Sequence, residues 1–141
     1  MKVTPDIPAP SAILEAALYV DDLDAAERFY GDLLGLVRIQ RVAERHVFYR
    51  VGASILLIFN ADKTEEPPTN PDLPVPPHGA RGPGHVCLVL TRAEIDAMRK
   101  HLLDWNIPVD AEFDWPNGAR SLYVRDPAGN SVEFSEARLW D

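Results

Sequence analysis

The chain carries one pattern twice, and that repeat limits its possible folds more than any other feature. Laid over itself at an offset of 70 residues, Glu15 and the AALYV after it fall on His85 and VCLVL. At an offset of 75, RHVFYR falls on RSLYVR, with Arg45 on Arg120. Past the following turn the offset becomes 77, since DPAGN is longer than VGA, and this sets SILL on SVEF and Leu56 on Glu133. Two copies of one supersecondary unit within 141 residues point to a single domain made of two half-domains that share a core.

Each copy reads as strand, helix, strands. In the first (about 12–60), ILEAALYV alternates, with Leu14, Ala16, Leu18 and Val20 on one face and Ile13, Glu15, Ala17 and Tyr19 on the other. Asp21 or Asp22 caps a helix whose apolar positions are Leu23, Ala26, Phe29, Tyr30, Leu33 and Leu34, and Gly35 stops it. RHVFYRV and SILLIFN then form a hairpin around Gly52 and Ala53. The second copy (about 85–136) opens on HVCLVL. Thr91 and Glu94 make a capping box for a helix with Ile95, Met98, Leu102 and Trp105 on its apolar side. An extended segment, Ile107 to Phe113, leads to a hairpin of SLYV and SVEF around Asp126, Pro127, Gly129 and Asn130. Between the copies, residues 61–84 hold seven of the chain's thirteen prolines, so this stretch is expected to be a long connection, a lid or a binding loop.

Charge and composition exclude several classes. A net charge of −8 opposes nucleic-acid binding, which depends on neutralising phosphates. No apolar run reaches membrane-spanning length. The N-terminal MKVTPDIPAPS lacks an apolar core and reads as a short arm, not a secretory signal. The single cysteine, Cys87, cannot form an internal disulfide, which fits a reducing cytoplasm; it reads as a buried structural residue.

Alternation along the last strand puts Ser131 and Glu133 on one face and Val132 and Phe134 on the other. A carboxylate aimed inward from a strand needs partners. Glu15 and His85, at matching positions of the two copies, also fall on inward faces. His46 shares its face with Phe48, the repeat partner of Tyr123, and is the first candidate for a general acid or base; His78, in the connection, is the second. Trp115 is placed to wall a pocket, whose floor Phe48, Ile58 and Leu56 would make apolar, suiting a substrate with an aromatic or aliphatic body. Asp21, Asp22, Glu27 and Asp32 read as a solvated helix face, and His101 as an exposed side chain without a role.

The segments LYVDDLDAAERFYGDLLGL, GHVCLVL and RSLYVRDPAGNSVEF, in this order and spacing, resemble the vicinal oxygen chelate superfamily of glyoxalase I, extradiol dioxygenases, fosfomycin-resistance enzymes and bleomycin-resistance proteins. The resemblance covers residues 13 to 136. It implies an α+β fold of two βαβββ modules in a cupped, half-open barrel, with a divalent metal (Fe, Mn or Zn) on the concave face. Its four ligand positions fall on Glu15, Leu56, His85 and Glu133, of which three can bind metal. Tyr123, ten residues before Glu133, falls where related enzymes touch substrate. A small oxygenated substrate bound bidentately to the ion, and a homodimer, are further implications. The bleomycin-resistance branch implies another class, a metal-free protein that sequesters a toxic small molecule in an apolar groove.

Overall fold

The computed structural model describes residues 6–141; the start of the N-terminal arm lies outside them. The repeat is realised as two four-stranded mixed sheets. Module 1 contains β1 (Glu15–Tyr19), β2 (Val37–Val42), β3 (His46–Val51) and β4 (Ser54–Phe59), in the order β1-β4-β3-β2. Module 2 contains β5 (His85–Val89), β6 (Ala111–Asp114), β7 (Arg120–Arg125) and β8 (Ser131–Ser135), in the order β5-β8-β7-β6. In both, the first strand runs parallel to the last, a pairing that requires the intervening helix as a crossover. The other pairings are antiparallel. β1 and β5 lie alongside each other at the seam between the sheets without forming a ladder.

Local chemistry explains the helices. α1 (Leu23–Ala26) is capped by Asp22, whose carboxylate accepts from the Ala25 backbone N–H. It widens into a π-helical segment, Glu27–Leu33, where an α-helix was expected. A four-residue α2 (Ala61–Thr64) precedes the prolines of the connection. α3 (Arg92–Asp104) starts on the Thr91–Glu94 capping box, with both reciprocal bonds made. Thr91→Ala is therefore expected to lower stability by about 1 kcal/mol in urea unfolding. No change would mean that packing alone fixes this helix start. Trp105 sits at the C-terminal cap and stays 45% exposed, outside the apolar side expected of it.

Both sheets turn one face toward the helices. Leu18, Val47, Tyr49, Leu56 and Ile58 of module 1 join Leu122, Val124, Val132 and Phe134 of module 2, with Phe29, Tyr30, Ile95 and Leu102 from the helices, in one core. Leu56 and Ile58 thus lie in this core and not on the floor of the open face. Strand register gives the reason. Ala17 opposes Leu57 as Cys87 opposes Glu133, so Leu57, not Leu56, is the module 1 equivalent of Glu133. Nor is His101 idle, since its Nε2 lies 2.7 Å from the Leu33 carbonyl and ties α3 to the end of the first helix.

A buried polar knot joins the modules. The Asp126 carboxylate accepts from the Tyr30 hydroxyl (2.7 Å), the Ala128 and Asn130 backbone N–H groups and the Asn130 side-chain amide. Asn130 also donates to the Tyr19 carbonyl and accepts from Gly84 N–H. The turn itself needs Gly129 at φ 91°, a conformation that Cβ-bearing residues seldom adopt.

Candidate functional site

On the open face of module 2, alternation places His85 and Cys87 of β5, Ser121 and Tyr123 of β7, and Glu133 and Ser135 of β8 side by side. Glu133 is 4% exposed, and each of its carboxylate oxygens faces a polar neighbour. One oxygen, Oε2, accepts a short hydrogen bond from the Ser121 hydroxyl. Ser121 in turn accepts from Trp115 Nε1–H at 2.7 Å and bonds Ser135. The other oxygen, Oε1, lies 3.3 Å from His85 Nε2.

The remaining ring nitrogen of His85 decides what this pair can do. Nδ1 lies 3.1 Å from the Ser131 carbonyl oxygen, which can only accept, so Nδ1 carries the proton. In the neutral ring Nε2 is then a lone pair that faces a carboxylate oxygen. Two such acceptors turned toward one space suit a cation, and a backbone carbonyl holding the far N–H is the usual setting of a metal-binding histidine. Neighbouring ligands on one small divalent ion are separated by about 3 Å when the bonds are about 2.1 Å, which matches the spacing here.

Neighbouring groups stay protonated. Tyr123, stacked on His85 with centroids 6.2 Å apart, is pushed up to about 12 by burial and then by the Glu133 carboxylate. It can donate a hydrogen bond but does not serve as a base near neutrality. Cys87 keeps contact with solvent, yet burial of its sulfur, followed by Glu133, pushes the thiol up to about 12. It is neither a thiolate ligand nor a nucleophile at neutral pH.

Glu15 stands apart from this network. It lies on β1, exposed, and lines with His85 a cavity of about 590 Å3 at the seam between the modules. Among the described residues, no three His, Cys, Asp or Glu side chains converge into a ready-made metal shell. His46, Phe48 and His78 form a different cluster, on the open face of module 1. His46 stacks on Phe48 at 4.0 Å, and the His78 ring packs edge-on against Phe59 at 4.6 Å. Tyr19 Oη and His78 Nδ1 are 2.6 Å apart, so the connection is strapped onto this face. Arg45 donates to His46 Nδ1 at 2.7 Å, leaving Nε2–H as a buried donor without a partner. Burial, with Arg45 adding to it, lowers His46 to about 4, and the ring is neutral at pH 7.

Ser121, Phe113, Leu139 and Trp140 belong to the module 2 face and escaped sequence reasoning. Ser121 was within reach, because it alternates with Tyr123 on one strand; for Leu139 and Trp140, beyond the last strand, no pattern pointed inward.

A family model described as the glyoxalase/bleomycin resistance protein/dioxygenase superfamily matches residues 12–134. The chain belongs to this superfamily. Among solved structures, a lactoylglutathione lyase from Agrobacterium tumefaciens is 45% identical with a TM-score of 0.89, covering 94% of this chain and 98% of its own. A glyoxalase/bleomycin resistance protein/dioxygenase from Nocardioides is 24% identical with a TM-score of 0.70, over 93% and 86% of the two chains, and at that identity it speaks for the fold alone. No curated protein matches. The α+β architecture of paired βαβββ modules, cupped and not closed, is that of the superfamily. Among the described residues no helix is long and apolar enough to cross a membrane.

Proposed function

We propose that this glyoxalase-superfamily protein is a metal-dependent enzyme that binds a small oxygenated substrate on the open face of module 2. The observation that carries the reading is the His85 tautomer, with Nδ1–H held by the Ser131 carbonyl and Nε2 turned toward Glu133. His85 and Glu133 would hold a divalent ion, with Glu15 as the third ligand from the rim of the adjoining cavity. Such an ion acts as a Lewis acid on substrate oxygens. Ser121 fixes the Glu133 carboxylate in place, and Tyr123, which keeps its proton, donates to a substrate oxygen and orients it. His46 is strapped into module 1, so a proton-transfer role for it would require the connection to lift.

Homodimerisation forms part of the proposal. Ile13 and Val89, 80% and 66% exposed, rim the cavity that holds Glu15, and a second copy would cover them. The 45% identical lactoylglutathione lyase supports glyoxalase-like chemistry. Against a four-ligand site of that type, the place equivalent to Glu133 in module 1 holds Leu57, which binds no metal.

Metal content and thermal melting test the reading. The purified protein is expected to carry, or take up from Mn(II), Fe(II) or Zn(II), one equivalent per chain, and to lose several degrees of Tm on chelation. His85→Ala, at a side chain 51% exposed, should retain the fold yet cut metal affinity by about 10- to 100-fold or more. A protein that takes up no metal and melts identically with and without chelator would leave the metal-free sequestering class in its place.

A further inference from the structure

We propose that the module 2 slot takes a flat, uncharged aromatic molecule, held by Trp115 and Trp140, and rejects anionic conjugates such as glutathione derivatives. This rests on module 2 being the ligand-binding face, and it adds the class of ligand.

A cavity of about 520 Å3 opens over His85, Tyr123 and Glu133, with Trp115 and Trp140 in its walls. That volume suits a ligand of one or two rings. The Trp115 wall is fixed before any ligand arrives, and the backbone that carries Trp140 is anchored beside it. Trp115 spends its only polar atom on Ser121 and sets its ring at 63° to Phe113, which stacks on Tyr123 at 11°. Trp140 is 91% exposed on the 3-10 turn Ala137–Trp140. This turn is bolted to the 115–118 turn, for the Asn117 side chain donates to the Arg138 and Leu139 carbonyls, and Arg138 donates to the carbonyls of Asn117 and Gly118. A large ring displayed from an anchored backbone with nothing packed on it is available to stack on a ligand.

The charge pattern selects the ligand's polarity. No Lys or Arg lines the slot, and its one carboxylate is Glu133. The cation nearest the frame, Arg138, is occupied by two carbonyls and by Glu136. Anionic groups on the ligand body would lose hydration without finding a partner. A flat neutral ring gives up only apolar surface.

Calorimetric titration tests this with 2-naphthol, 2-naphthalenesulfonate and S-hexylglutathione, each on chelator-treated and metal-loaded protein. The expected result is that 2-naphthol binds in both states, and that Trp140→Ala weakens it roughly 5- to 10-fold. Trp115→Phe should weaken it less, and Trp105→Phe, remote on α3, not at all. The two anions should bind the chelated protein at least about 10-fold more weakly than 2-naphthol. Absence of 2-naphthol binding, an unchanged affinity in Trp140→Ala, or equal binding of the anions would overturn the proposal. Because ring binding is read in chelated protein, failure of metal uptake and failure of the aromatic slot are separate results.

Discussion

Asp126→Ala is expected to destabilise the chain by about 3–5 kcal/mol, a large share of the roughly 5–15 kcal/mol that holds a domain of this kind folded. The carboxylate is 4% exposed and accepts four hydrogen bonds, from Tyr30, Ala128 and both nitrogens of Asn130. Truncation removes the acceptor from the buried Tyr30 hydroxyl and Asn130 backbone N–H, and from the half-buried Ala128 N–H, while the Asn130 amide keeps its bond to the Tyr19 carbonyl. Each unpaired buried group costs about 1–3 kcal/mol before the structure relaxes. Tyr30→Phe removes one donor and keeps the ring, so it should cost only about 1 kcal/mol. Urea unfolding of the two variants measures both. An Asp126→Ala protein within about 0.5 kcal/mol of wild type would show that water replaces the carboxylate and that the knot contributes little.

Acidification should expose the second large effect, through His46. Its folded-state value of about 4 lies below the ordinary value near 6.5, so between these limits the unfolded chain takes up a proton that the folded chain refuses. Stability is therefore complete above pH 6.5 and falls as the pH drops toward 4. By pH 4.5 the loss from this ring alone is about 2.5 kcal/mol. Its physical basis is burial of the ring against Phe48 and Phe59, which strips a charged ring of water, followed by the Arg45 guanidinium, which repels a second positive charge. His46→Gln should flatten that part of the profile, seen as a smaller difference between urea midpoints at pH 7.5 and 4.5. Equal differences for the two proteins would place the acid sensitivity in the carboxylates.

Much of this fold was legible in the sequence because it rests on short-range chemistry. The Thr91–Glu94 box, the Asp22 cap and the DPAGN turn are each fixed by a few neighbouring residues, and each formed as read. Longer-range geometry was less accessible. β2, VRIQRV, pairs with β3 at the outer edge of its sheet, where Arg38 and Arg41 meet Glu27 and Asp24. With charged residues on one side and little burial on the other, its alternation carries almost no signal. The error at Leu56 has a specific source. Val51 and Ser54 still pair in the first hairpin, whereas Asp126 and Asn130 already belong to the turn of the second, so the longer turn adds one residue and not two. A shift of one position carries a side chain from one face of a sheet to the other. His85, Glu133 and Tyr123 share one face of module 2, as strand alternation and the family resemblance implied. Trp115 reads as a pocket wall from its place before the turn, and Ser121 follows from alternation with Tyr123, but Trp140 joins them only through contacts between two turns, which no local pattern announces.

The strap across module 1 makes two halves of like backbone unequal in use. His78, braced against Tyr19 and Phe59, covers part of the open face of module 1, whereas the cavity over His85 and Tyr123 in module 2 has no such strap. Its prolines keep the segment extended and lower the entropy lost in laying it down. One half is thereby stiffened into a backstop, and the asymmetry of two modules with like backbones is written into the covalent connectivity of the chain.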